Sequence, residues 1–175
     1  TQAPVSEGVC SVGPSPNYDV TFSPASGFSG PSSCTYRICD LNTPTPQCDT
    51  AVINVVVNAP PTANDDTANG TSFGAAVLAD HDANDTAGSG TLDLSTTTIV
   101  SGGNANPTTE GTCTIGASPN YDVIFTPVAN FTGTAQCTYQ VCNTNALCDT
   151  AVITFDPADG SAPVATDDNA SGVPG

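Results

Sequence analysis

The sequence predicts an all-β chain of tandem antiparallel β-sandwich domains stapled by disulfides. Three observations carry this prediction. Apolar residues come in short alternating runs bounded by Gly, Pro and Asn, the pattern of half-buried strands. A block of residues recurs, with matched positions 103 apart in a chain of 175 residues. Eight Cys fall in two matched sets of four, alike in spacing except that the last interval is shorter in the second copy. No segment of ten or more residues has helical periodicity, so almost no helix is expected.

The repeat is explicit. Glu7-Gly8-Val9-Cys10 recurs as Glu110-Gly111-Thr112-Cys113, and Ser15-Pro16-Asn17-Tyr18-Asp19-Val20 as Ser118-Pro119-Asn120-Tyr121-Asp122-Val123. Phe22, Pro24, Phe28 and Gly30 recur as Phe125, Pro127, Phe131 and Gly133, and Cys34-Thr35-Tyr36 as Cys137-Thr138-Tyr139. Cys39 recurs as Cys142. Cys48-Asp49-Thr50-Ala51-Val52-Ile53 recurs three residues earlier in register, as Cys148 to Ile153, so the second hairpin is shorter. Asp65-Asp66 recurs as Asp167-Asp168. The period is that of one immunoglobulin-like (Ig-like) domain. Residues 1–58 read as the C-terminal half of one Ig-like repeat, 59–160 as a complete repeat, and 161–175 as the start of the next. That phase is expected of a window within a longer tandem array.

Within the complete repeat the candidate strands follow in order. They are Ala75 to Leu78, Thr97 to Val100, Thr112 to Ile115, Tyr121 to Phe125, Cys137 to Val141 and Ala151 to Phe155. The third and fourth form a hairpin through Gly116-Ala117-Ser118-Pro119-Asn120, with apolar residues facing in and polar residues out. Strand side chains alternate faces. Cys137, Tyr139 and Val141 therefore share the core face, and Tyr36 and Tyr139 are expected inside. Cys142 lies opposite and cannot bridge Cys137. The predicted disulfides are Cys113–Cys137 inside the sandwich and Cys142–Cys148 across the hairpin, with Cys10–Cys34 and Cys39–Cys48 as their counterparts. Cys-x4-Cys without a nearby His is a poor zinc site.

Composition excludes several functions. One Arg (Arg37), no Lys and a net charge of −16 cannot neutralise phosphates, so no nucleic-acid partner is expected. One His leaves little acid–base or zinc chemistry. No apolar run approaches the ~20 residues of a membrane span, so no membrane insertion is expected. No basic start followed by an apolar stretch marks a signal peptide in this segment. Val, Ile, Leu and Phe make just under a fifth of the chain. So thin a core needs staples, and disulfides place the chain in an oxidising compartment, extracellular or at the cell surface.

The motifs Ala63-Asn64-Asp65-Asp66, Val77-Leu78-Ala79-Asp80-His81-Asp82, Phe125-Thr126-Pro127-Val128-Ala129-Asn130-Phe131-Thr132-Gly133 and Thr138-Tyr139-Gln140-Val141-Cys142-Asn143 follow a characteristic order. They resemble the bacterial tandem Ig-like (cadherin-like) repeats of large surface adhesins and extracellular fibres. The resemblance covers 59–160 and part of both flanks. Cys137 stands where that family usually has Phe, so its disulfides are a departure. The resemblance implies calcium at domain junctions. The candidate ligands are Asp65, Asp66, Asp80, Asp82, Asp167 and Asp168, because calcium takes six to eight oxygens, mostly carboxylate. The alternative for these clusters is a solvated acidic surface.

The other candidates read as structural. His81, between two Asp, is expected in a solvent-exposed loop. Glu7 and Glu110 are expected at equivalent turns. Four Asn-x-Ser/Thr matches, at Asn69, Asn84, Asn130 and Asn169, are what an Asn- and Thr-rich chain gives by chance. Ser95-Thr96-Thr97-Thr98 is expected on an ordinary exposed strand face. No catalytic constellation is present, so no enzyme activity is expected. The expected function is a structural segment of a long extracellular or cell-surface fibre or adhesin stalk. Its partners are neighbouring repeats of the same chain, a homo-oligomeric filament and a cell-surface or glycan target. The alternative is a carbohydrate-binding or ice-binding Ig-like module.

Overall fold

The computed structural model describes residues 4–72, 74–100 and 104–157. Eleven strands are present among them and no helix. They are β1 (Gly8–Val12), β2 (Val20–Pro24), β3 (Gly30–Cys39), β4 (Cys48–Val57), β5 (Asp66–Asn69), β6 (Val77–Ala79), β7 (Leu92–Ile99), β8 (Gly111–Ile115), β9 (Val123–Pro127), β10 (Ala135–Asn143) and β11 (Cys148–Asp156). The chain divides into two compact units. One comprises Thr1–Ala63, Asp85–Thr96 and Val141–Asp149; the other comprises Asn64–Asn84, Thr97–Gln140 and Thr150–Gly175.

The first unit holds two hairpins. β1 pairs antiparallel with β2 and β3 with β4, the latter in unbroken register from Gly30↔Val57 to Cys39↔Cys48. Phe22 and Phe28 meet edge to face at 6.5 Å. Tyr36, expected in the core, is only half-buried. No third strand pairs with β3 or β4 among the described residues.

The second unit holds the core. A three-stranded sheet, β6-β9-β8, faces β5, β11 and β10 of a four-stranded sheet ordered β5-β11-β10-β7. Period-two alternation builds it. In β9, Val123 and Phe125 point inward; in β10, Ala135, Cys137 and Tyr139 do; in β11, Ala151, Ile153 and Phe155 do. Phe125 stacks on Phe155 at 5.6 Å across the sheets and meets Phe131 edge to face at 5.9 Å. The β8–β9 hairpin pairs from Gly111↔Pro127 to Ile115↔Val123, as its alternation predicts.

The strands differ from the sequence expectation in three ways. β6 and β9 each begin two residues later than expected, at Val77 and Val123. β7, β10 and β11 run further than expected, because ladder pairing carries polar residues such as Asp93, Gln136 and Asp149 into the strands. β5 was not anticipated, and it pairs parallel with β11, from Ile153↔Asp66 to Asp156↔Asn69. The sandwich is therefore not purely antiparallel. The opening strand of the repeat joins the edge of the closing strand with no turn between them, so hairpin geometry does not constrain its direction.

Candidate functional site

Each repeat carries its two disulfides at equivalent places. Cys10–Cys34 joins β1 to β3 and Cys113–Cys137 joins β8 to β10, both with Cα atoms 5.9 Å apart. Cys39–Cys48 and Cys142–Cys148 clamp hairpin ends at 4.0 and 3.9 Å. These are the pairs that strand-face parity requires, and Cys137 is fully buried. The repeated Glu-Gly before the first Cys is structural. Val128 N–H donates to the Glu110 carbonyl at 2.9 Å, as Ala25 N–H does to Glu7. Gly111, at φ 151°, runs so close to β9 that a Cβ there would sit 2.3 Å from the Thr126 carbonyl oxygen and 2.7 Å from the Phe125 ring. Gly8 stands in the same relation to Ser23 and Phe22. No side chain fits at either position.

The acidic residues separate into two features. Asp65 Oδ1 accepts the Val152 N–H at 2.8 Å, and Asp149 Oδ2 accepts the Ala63 N–H at 3.1 Å. These carboxylates hold the start of the repeat against β11. Asp66 opens β5 beside them and is half-buried. Asp80 and Asp82 form the other feature. Burial, then the hydrogen bond and like charge of Asp80, push the Asp82 carboxyl above its usual 3.8, with His81 and the local backbone pulling weakly the other way. Among the described residues no three His, Cys, Asp or Glu side chains group closely enough to hold a metal ion. Asp167 and Asp168 lie outside the described residues.

His81 is not a solvent-exposed loop residue: it is 0% exposed. The parity of β6 continues beyond its end, so His81 follows Val77 and Ala79 inward while Leu78 and Asp80 point out. Its Nε2 lies 3.1 Å from Thr97 Oγ1, and its ring meets Tyr139 edge to face at 4.9 Å. The Tyr139 hydroxyl donates to the His81 carbonyl at 3.1 Å and lies 3.3 Å from that of Asn64. His81 Nδ1 meets no hydrogen-bond partner. A polar Asp-His-Asp string conceals this because local composition outvotes strand parity. Nor does the Ser95 to Thr98 run form an exposed face throughout. Thr97 is buried, and Thr96 Oγ1 accepts the Cys142 N–H at 2.9 Å while donating to the Asp93 carbonyl at 2.6 Å.

Asn143 is the residue that sequence reasoning missed. It is 2% exposed and uses its whole amide. Nδ2 donates to the carbonyls of Ala59 at 2.9 Å and Ala87 at 3.0 Å, and Oδ1 accepts the N–H groups of Asn145 at 3.0 Å and Leu147 at 3.2 Å. It ties the incoming chain, the loop before β7 and the β10–β11 hairpin. The inward parity of Cys137, Tyr139 and Val141 extends to position 143 and was the available signal. Its counterpart Asp40 keeps half of this role. Asp40 Oδ1 accepts the N–H groups of Gln47 at 2.8 Å and Asn42 at 3.2 Å, but a carboxylate has nothing to donate. Arg37 is exposed on β3. Asn69, Asn84 and Asn130 are all exposed; Asn169 lies outside the described residues.

The sequence signature of the bacterial Ig domain matches residues 58–156. The chain belongs to the bacterial Ig domain family. The match takes in β5 to β11, both disulfides of the complete repeat, His81 and Asn143. No curated protein matches the chain. Among solved structures, the human desmocollin-1 ectodomain aligns at 12% identity and TM-score 0.35, over 87% of this chain and 32% of that one. An endo-fucoidan hydrolase of glycoside hydrolase family 107 aligns at 12% identity and TM-score 0.37, over 84% of this chain and 25% of that one. This chain thus spans about a third of the first protein and a quarter of the second.

Proposed function

We propose that this bacterial Ig chain is a structural segment of a long extracellular or cell-surface fibre or adhesin stalk, held under load by its disulfides. The observation that supports this reading is the placement of the staples. In each repeat one disulfide joins the two hairpins and a second clamps a hairpin end. A strand pulled from such a domain reaches a covalent stop before the loop behind it can extend. The disulfides also put the chain in an oxidising compartment. The carbohydrate- or ice-binding alternative gains nothing from the Thr run, whose side chains alternate faces. A catalytic role for the lone His is disfavoured because it is sealed from solvent.

Electron microscopy of the native material tests the reading. Fibres or stalks with an axial repeat of about 40 Å, one sandwich length of ~3.3 Å per strand residue plus a linker, are expected. Chains found only as dispersed, unassembled molecules would overturn it.

A further inference from the structure

The two disulfides of the complete repeat differ in span, exposure and support. A disulfide ordinarily joins Cα atoms about 4.4–6.8 Å apart, and one held outside that range is easier to reduce. Cys113–Cys137 spans 5.9 Å, within the range, and Cys142–Cys148 spans 3.9 Å, below it. Cys137 is 0% exposed, so a reagent cannot reach its sulfur in the folded sandwich. Cys113 is half-buried, but attack there would expel Cys137 as a thiolate into a closed apolar core, which is costly. Cys148 is exposed at the end of the β10–β11 hairpin, and Cys142 is half-buried beside it. Attack on Cys148 therefore starts from solvent and leaves no charge in the core.

The hairpin does not depend on its bridge. Asn143 N–H donates to the Leu147 carbonyl and Ala146 N–H to the Asn143 carbonyl, both at 2.9 Å. Asn143 Oδ1 accepts the N–H groups of Asn145 and Leu147 at 3.0 and 3.2 Å. The N–H of Cys142 itself is held by Thr96 Oγ1 at 2.9 Å. These bonds lie just inside the disulfide and close the same turn. They keep the two Cys face to face whether or not the sulfurs are joined.

We infer that Cys142–Cys148 is a thiol-exchange site, opened and reclosed by a dithiol while the sandwich stays folded. One thiolate of the dithiol attacks Cys148 Sγ, forms a mixed disulfide and expels Cys142 as a thiolate, which takes up a proton. The second thiolate of the dithiol then attacks the dithiol's own sulfur in that mixed disulfide. This frees Cys148, which is protonated in turn, and leaves the dithiol as its cyclic disulfide. Two electrons and two protons pass from the dithiol to the chain. Reclosure runs the same steps backwards, helped by the amide bonds that keep the thiols adjacent. Cys113–Cys137 exchanges only when the sandwich itself opens. One bridge is a permanent tie between hairpins, and the other is a reversible lock on a hairpin end. This holds for a single chain, whether or not it builds a fibre.

The test exposes the full oxidised chain to dithiothreitol in native buffer and in concentrated urea, traps thiols with iodoacetamide over time and maps them on peptic peptides by mass spectrometry. The first repeat sets Cys39 opposite Cys48 at 4.0 Å, so each bridge is mapped separately. In buffer, Cys142 and Cys148 are expected to be alkylated at least about tenfold faster than Cys113 and Cys137, and in urea the difference should collapse. The chain opened at this bridge should keep its circular dichroism, and oxidised dithiothreitol should reclose it. The double variant Cys142→Ser/Cys148→Ser should fold with the same spectrum. Three results would overturn the inference. They are alkylation of Cys113 and Cys137 as fast as or ahead of the hairpin pair in buffer, loss of the spectrum as the hairpin pair opens, and a double Ser variant that does not fold.

Discussion

Replacing Cys113 and Cys137 together by Ala should destabilise the complete repeat more than replacing Cys142 and Cys148. The magnitudes follow from the loops each bridge closes. The sequence separations are 24 and 6 residues. Loop-closure entropy then gives about 3.5 kcal/mol for the sandwich bridge and about 2.2 for the hairpin bridge at 25 °C, a difference of about 1.2 kcal/mol. Burial widens the gap in the same direction. Cys137 is fully enclosed, so its loss also leaves a small void, whereas Cys148 is exposed. The assay is urea unfolding of the full chain and both double variants, followed by circular dichroism and tyrosine fluorescence. Equal losses, or a larger loss from the hairpin variant, would refute the argument that these bridges act by restricting the unfolded chain.

Three further outcomes are expected. Asn143→Asp keeps the hairpin bonds that Asp40 makes in the first repeat but sets a carboxylate oxygen against the Ala59 and Ala87 carbonyls. It should cost about 2–4 kcal/mol by urea unfolding, well beyond the typical surface substitution. His81→Ala removes a fully buried ring, leaves Thr97 Oγ1 without it and strips the edge contact from Tyr139; a loss of about 2–4 kcal/mol is expected by the same measurement. Asp82→Asn works the other way. The folded-state pKa of Asp82 is raised, so its ionisation opposes folding above that pKa, and the penalty fades as pH falls through it toward the unfolded value. The variant should therefore melt higher than wild type at pH 7, by less than about 0.5 kcal/mol because solvent screens the pair. The gain should vanish in acid; a gain that persists at pH 3 would show that charge is not its source.

Much of the architecture was legible because two rules needed no tertiary knowledge. Internal repetition matched the two sets of four Cys, and strand parity together with the hairpin reading paired them, since a residue's face depends only on its position along its own strand. The same parity reached His81 and Asn143, and there the reading stopped short. His81 sits in an Asp-rich string and Asn143 at the mouth of a hairpin, contexts whose local composition argues for solvent. Whether a polar side chain can be buried depends on whether partners wait inside. For His81 these are Thr97 and Tyr139, and for Asn143 the carbonyls of Ala59 and Ala87. No partner lies within ten residues of the histidine, and the two carbonyls are more than fifty residues from Asn143, so no window of sequence contains either set.

Sequence alone determined the strand-rich class, the repeat and the disulfide pairs, because these follow from alternation, identity and spacing along one chain. Tertiary structure decided that the opening strand joins the closing one in parallel and that Asp65 and Asp149 serve as strand clasps. Each of those depends on which distant backbone groups are left without partners once the sheets have formed. An edge N–H has no identity until a neighbouring strand takes it or leaves it bare.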